Sequence, residues 1–294
     1  MPAVKKGLHI KIGRSKMINI TVKGIIFYLF MIGFVWFMAL PIIYVVSTSL
    51  KPLDELLRFP PKMLVVRPTL NNFRDLTVAL SGSAVPFLRY VFNSVCVSAI
   101  TVFLSVVLSC MTAYSIVKIK IPGAKIITFV VISSLMFSGH VTTIPTYLII
   151  NALRLVDSPL ALIIPKIATS FGLFLVIQFA EQLPDPLLEA SRIDGASHWT
   201  IFWKIVMPFL APAWSTLTVF SFVANWNDFI SPLIYITNEA NKTLPLALQN
   251  ISTGGLGRMG ATAATAFLML LPTIVIFTMT QKKVIETMAH SGIK

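Results

Sequence analysis

The stretch LPDPLLEASRIDGASHWTIFWKIVMPFLAP, residues Leu183 to Pro212, decides how this chain is read. It is a polar, amphipathic insert between long apolar blocks. Leu187, Leu188 and Ile193 supply apolar contacts, and Asp185 can cap a helix whose first residue is Pro186. Glu189 and Arg192 stand three apart and can pair on one helix face. Gly195 then permits a sharp turn, after which Trp199, Phe202 and Ile205 lead into the next apolar run, with Pro208 and Pro212 at its entrance. On pattern alone two readings stand. One is a helix lying on a bilayer, anchored by Trp199 and Trp203. The other is a segment presented to a protein. The polar face of a membrane-lying helix is ordinarily rich in Lys and Arg, whereas this one carries Asp185, Glu189 and Asp194. Those acids argue for a protein partner.

Outward from this insert, the chain is 294 residues long, 56% hydrophobic and 12% charged. Soluble domains carry about 25% charged residues. A spanning helix needs about 20 mostly apolar residues, and six segments meet that requirement: about 24–50, 90–117, 126–152, 159–181, 205–236 and 261–281. The net charge of +13 could suggest nucleic acid, but the basic residues flank apolar blocks instead of interleaving with aromatics, so nucleic acid is not expected as a partner. Residues 1–23 are basic (Lys5, Lys6, Lys11, Arg14, Lys16 and Lys23), and the run from Gly24 to Leu50 is too long for a signal-peptide core. With both termini inside the cell, the inner segments hold 14 Lys plus Arg against five acids, and the outer side holds ten against six. That asymmetry favours cytoplasmic termini and a multi-pass protein of the cell membrane.

The expected organisation is a cytoplasmic segment 1–23, a first span with its outer loop over 24–89, a five-helix core over 90–281 that contains the insert 183–204, and a cytoplasmic tail 282–294. The outer loop is punctuated by Pro52, Pro60, Pro61, Pro68 and Pro86, and prolines also fall inside five of the spans. Within lipid, proline frees backbone carbonyls that neighbouring helices or an aqueous cavity must satisfy. This fits a protein that lines a pathway and moves. Cys96 and Cys110 share one apolar block; fourteen residues of helix place them about 21 Å apart, too far for a disulfide. No metal-ligand spacing is present.

The insert also carries a resemblance. Glu189-Ala190-Ser191, then Asp194-Gly195-Ala196, then Ile205 and Pro208 resemble the EAA signature of binding-protein-dependent ABC importer permeases, with Ser191 standing where the family has a third Ala. Asn225-Trp226-Asn227-Asp228-Phe229 followed by Pro232-Leu233, together with Thr243-Leu244-Pro245, is similar to the carbohydrate-type permeases of the maltose-transporter family. The resemblance covers roughly residues 20–290. It implies an all-α integral membrane fold of the type I permease kind, with six transmembrane helices and a cytoplasmic coupling helix that sits in a cleft on an ATPase. Glu189 would meet a polar or basic group there, and Ala190 and Gly195 would allow close approach and the turn. It further implies a second homologous permease subunit, two ATP-binding-cassette ATPases that bind ATP and magnesium, an extracytoplasmic solute-binding protein and a carbohydrate substrate. No cofactor is expected in this chain itself.

For the pathway, Asp228 is an acid well inside an expected span, where an ionisable group usually faces a cavity or a partner. Asn225 and Asn227 offer hydrogen bonds, and Trp226 and Phe229 offer flat apolar faces, a combination that suits a sugar. Alternatively, Asp228 lies near the outer interface and ties two helices together. Ser138, His140, Thr142, Thr143, Thr146 and Tyr147, broken by Pro145, either form a polar stripe along the pathway or return their hydroxyls to helix carbonyls. His140 has no second metal ligand near it in sequence. The excess of basic charge in the outer segments suits acidic oligosaccharides, anionic lipid or a binding protein equally.

Catalytic signatures do not occur. The chain lacks GxxxxGK[ST], HExxH and GxSxG motifs, so ATP hydrolysis is assigned to another subunit. The glycines at 254, 255, 257 and 260 read as turns in an outer loop. An ion-coupled secondary transporter would show inverted repeats and more intramembrane acids, and a membrane-embedded enzyme or scaffold is the remaining rival.

Overall fold

The structure, a computed structural model, describes residues 8–10, 18–20, 22–81, 85–252 and 259–291. A short antiparallel ribbon pairs Leu8–Ile10 with Ile18–Ile20. Every other regular element among the described residues is helical.

The first helix, Val22–Ser49, is apolar all round, and its large side chains from Ile25 to Phe37 stand exposed, as expected of a helix solvated by lipid or by another chain. It packs along the last helix, Met259–Ser291. Its C-terminal carbonyls lack partners within the helix. The buried Asn72, on the helix Asn71–Ser81, supplies them: its Nδ2 donates to the Ser49 and Lys51 carbonyls, each at 2.8 Å. The last helix reaches this junction at Gly260, where a Cβ would lie 2.1 Å from Asn72 Oδ1.

At the centre runs Phe87–Tyr114, extended by one π-turn, Ser115–Ile119. Its buried stripe is small and hydroxyl-rich: Ser94, Ser98, Thr101, Ser105, Ser109 and Ala113 recur at helical spacing. Without a hydrophobic driving force between helices in lipid, such small residues let backbones approach closely. Ser170–Glu181 and Ala211–Trp226 pack on this helix. They also meet each other closely, since a Cβ at Gly172 would fall 2.6 Å from Leu217 Cδ1.

Among the described residues, three helices are long and apolar enough to cross a membrane: Gly24–Ser49, Phe87–Ile119 and Met259–Lys282. Two bent pairs bring the total to five if each pair is one span, Leu160–Lys166 with Ser170–Glu181 at 41°, and His198–Phe209 with Ala211–Trp226 at 76°. The expected span 126–152 is not one rod. It forms two shorter helices, Ala124–Ser134 and Gly139–Ala152. At the break, the amides of Leu135, Met136 and Phe137 reach back only three residues, to carbonyls at 3.2, 3.1 and 3.2 Å. Ser134 Oγ donates to the Val131 carbonyl and lies 2.6 Å from Ser170 Oγ, so a side chain competes for the helix ladder here. The last helix runs to Ser291, ten residues past its expected end at 281.

The apolar packing falls into separate clusters. One surrounds Cys110, Tyr114, Leu183, Leu188, Ile201 and Phe202 at the end of the bundle that carries the insert. Another, around Leu76, Tyr90, Trp226 and Leu248, lies at the opposite end of the central helix. Both cysteines are free, Cys110 buried and Cys96 half-buried.

Candidate functional site

The insert folds as an isolated amphipathic helix, Asp185–Ile193, on one end of the bundle. It begins after Pro184 with Pro186 in the first turn, where a missing N–H leaves no bond unmade. Asp185 does not cap this helix. Pro184 occupies the cap without a side-chain bond, and the Asp185 carboxylate is drawn instead to Lys118, 2.8 Å away on the π-turn of the central helix. Lys118 Nζ also donates to the Leu183 carbonyl at 2.6 Å, and its side chain is only 7% exposed. One buried ammonium thus fastens the start of the amphipathic helix. The hydrogen bond and charge of Lys118, with help from Lys120 and Arg192, hold the Asp185 carboxyl below its ordinary value of 3.8.

The far end is closed by a Schellman arrangement. Gly195 N donates to the Arg192 carbonyl and Ala196 N to the Ser191 carbonyl, both at 3.0 Å. Gly195 sits at φ +79°, while a Cβ there would meet nothing within 4 Å. Glycine is required for the backbone conformation, not for space. Ala196 then packs on the core beneath, and Ser197 caps the following helix by accepting from Thr200 N at 3.2 Å.

Between these two fastenings the helix turns one face inward and leaves the other open. Leu188 is buried; Leu187, Glu189, Ala190, Arg192 and Ile193 are exposed, Ile193 at 87%. Glu189 and Arg192, which their spacing allows to pair, form no ion pair among the described residues. Ser191 returns its hydroxyl to the Leu187 carbonyl at 2.8 Å. Beneath lies an aromatic bed, in which the Tyr114 hydroxyl meets His198 Nδ1 at 3.2 Å and the Phe202 ring packs against Tyr114, Trp199 and Trp203. An exposed apolar strip with an open carboxylate on a doubly fixed helix is suited to receive another protein.

A second constellation lies within the bundle. Asp228 forms an ion pair with Lys166, and its Oδ1 accepts from Ile230 N and Ser231 N at 3.0 and 3.1 Å. It therefore both satisfies two first-turn amides of the helix Ile230–Tyr235 and ties that helix to the break after Leu160–Lys166. Sequence reasoning missed Lys166, which hides in the apolar run ALIIPKIATS, and Lys118, whose partner is 67 residues away. The side chains are only part-exposed, 26% for Lys166 and 15% for Asp228. The Trp226 indole is buried, stacked on Phe222, and donates to the Met269 carbonyl at 3.1 Å, so its face is occupied by packing. Asn225 and Asn227 return their amides to Ser221 and Val223 carbonyls, yet the Asn225 side-chain oxygen is buried without a partner among the described residues. Phe229 is half-buried.

The Thr142, Thr143 and Thr146 hydroxyls all donate to carbonyls of their own helix, at 2.9, 3.0 and 2.7 Å. Tyr147 stacks on Tyr235 with ring centroids 6.3 Å apart, and Ser138 is exposed at the helix break. The His140 side chain and the glycines at 254, 255 and 257 lie outside the described residues. At the opposite end of the bundle from the amphipathic helix, Thr243 is buried and Leu244 N donates to Ser94 Oγ at 2.7 Å, which seats the Thr243-Leu244-Pro245 segment on the central helix.

Comparison with known proteins agrees with this architecture. The family described as binding-protein-dependent transport system inner membrane component matches residues 12–282. The arabinooligosaccharides transport system permease protein AraQ of Bacillus subtilis (strain 168) is 29% identical over 254 residues, covering 86% of this chain and 90% of the relative. The polygalacturonan/rhamnogalacturonan transport system permease protein YtcP of the same organism is 29% identical over 233 residues, 79% of each chain. Among solved structures, a chain of a bacterial ABC transporter involved in the import of the acidic polysaccharide alginate superposes with a TM-score of 0.75 at 21% identity, over 89% of this chain and 96% of that one. The matched residues include the amphipathic insert and both of its fastenings, and this protein belongs to the family of binding-protein-dependent transport system inner membrane components.

Proposed function

We propose that this chain is the permease subunit of an ATP-driven importer of sugars or oligosaccharides, with the helix Asp185–Ile193 as its coupling element. The observation that carries the proposal is the helix itself, fixed at both ends while Glu189, Ala190 and Ile193 stand open. A cleft on a cytoplasmic ATPase would receive that face, and a second related permease and an extracytoplasmic binding protein would complete the transporter. Six spans place both termini in the cytoplasm on this reading, the two helices of 124–152 together forming the third. ATP binding favours one of two packed states, and a rigidly fastened helix passes that bias to the bundle. The ATPase then carries the nucleotide and its magnesium, and this chain carries neither.

A carbohydrate is supported by the named relatives, one a permease for arabinooligosaccharides and another for polygalacturonan and rhamnogalacturonan. Asn225, Asn227, Asp228, Phe229, Ser138 and Tyr147 are the proposed pathway residues, with Trp226 as the packed support behind them. Arg58, Arg74 and Arg89 lie in segments expected on the outer side and suit an acidic chain, whereas Arg67 is paired with Asp54 and Glu55. The test is a Glu189→Ala, Gly195→Pro variant. Proline cannot adopt φ +79°, so the turn must rearrange. ATPase association and sugar-dependent uptake should both fall at least tenfold, and unchanged values would remove the coupling role.

A further inference from the structure

Beside the amphipathic helix, a cavity of about 980 Å³ opens between the π-turn Ser115–Ile119, the start of Ala124–Ser134 and the last turns of Ser170–Glu181. Its walls are hydrocarbon, with Val117, Phe129, Ile132 and Ile177 among them. Phe129 is 70% exposed, so the wall continues onto the outer surface of the bundle. Among the described residues, charge enters only through Lys120, Lys125 and Glu181. Lys118, on the same turn, is committed to Asp185 and Leu183, whereas Lys120 and Lys125 form no ion pair among the described residues. Lys120 closes the π-turn as its left-handed C-cap, at φ +57°, which sets its side chain at the mouth of the cavity it lines.

We propose that this cavity binds one molecule of an acidic phospholipid, with an acyl chain against Phe129 and Ile132 and the phosphate between Lys120 and Lys125. The surroundings match in kind: hydrocarbon walls at the end of a spanning helix, and two lysines in no ion pair among the described residues where a headgroup would lie. Glu181 on the facing helix disfavours a bare phosphate and accepts hydrogen bonds from a hydroxylated headgroup, which makes phosphatidylglycerol the preferred class. The site stands on the membrane reading alone, independent of what is transported.

Native mass spectrometry of the purified transporter, titrated with phosphatidylglycerol and with phosphatidylcholine of the same chains, tests it. Wild type should prefer phosphatidylglycerol, and Lys120→Ala with Lys125→Ala should lower that affinity about 25-fold, fivefold per lysine, while phosphatidylcholine binding is unchanged. Ile132→Trp, which narrows the walls without touching charge, should weaken both lipids. Equal binding of the two lipids by wild type, or an unaltered preference in the double variant, would overturn the proposal. So would a Phe129→Cys variant that cross-links efficiently to a second permease subunit in native membranes, since a protein helix would then fill the groove. Sugar uptake is a separate readout, and its loss or retention leaves the lipid result standing.

Discussion

Lys118 offers the sharpest test of how the amphipathic helix is held. Replacing it with Met keeps an unbranched side chain one atom shorter and removes its charge and donors. The Leu183 carbonyl then loses a charge-assisted bond of 2.6 Å, and because Leu183 is only 2% exposed, water cannot readily replace it. A bond of this kind contributes about 2 kcal/mol, which corresponds to about a 30-fold rise in local opening. The Asp185 arm matters less, because that carboxylate is 62% exposed and screened by solvent. Hydrogen exchange of amides 184–196 in the nucleotide-free transporter in nanodiscs measures both. Lys118→Met should speed exchange about 30-fold in this segment, and Asp185→Asn should have a clearly smaller effect. Equal effects of the two variants would refute the argument that the buried carbonyl, not the ion pair, carries the fastening.

Other outcomes follow from the same contacts. The Asp185 carboxyl is held below its ordinary value of 3.8, chiefly by the Lys118 hydrogen bond. Its contribution is therefore fully present above that value and is lost as pH falls through the depressed native one, so segment protection should stay flat through mild acid and drop only below it; a drop near neutrality would contradict this. Asp228→Asn leaves Lys166 part-buried without a counter-charge and should lower the thermal midpoint, by a loss of about 2 kcal/mol. Adding Lys166→Met should recover part of that loss in the same assay. Gly195→Ala should destabilise the turn by about 1 kcal/mol, because φ +79° disfavours a Cβ that has ample room; exchange at residues 191–197 reads this.

Features whose physics is local could be read from the residues. Gly195 closes a helix because its backbone must go left-handed, and the Glu189 face is polar on one side and apolar on the other within nine residues. Long apolar runs such as Gly24–Ser49 announce themselves by composition. Contacts between distant segments could not be read in this way. Asp185 has the look of a helix cap until Lys118 arrives from 67 residues away, and Lys166 looks like an isolated charge until Asp228 reaches it across 62 residues. Continuous hydropathy over 126–152 conceals a break made by serine hydroxyls and three-residue turns. Likewise, Trp226 has a face that suits a sugar, but the Phe222 ring stacks on it and the indole N–H is committed to the Met269 carbonyl.

The proposed side of the membrane for the amphipathic helix is tested most directly by a single cysteine at Glu189→Cys, in a chain with Cys96→Ser and Cys110→Ser. A membrane-impermeant maleimide should label it in inside-out vesicles and not in intact cells, and assembled ATPase should protect it. Labelling from outside intact cells would place the helix on the far face, where no ATPase can reach it, and would contradict the account.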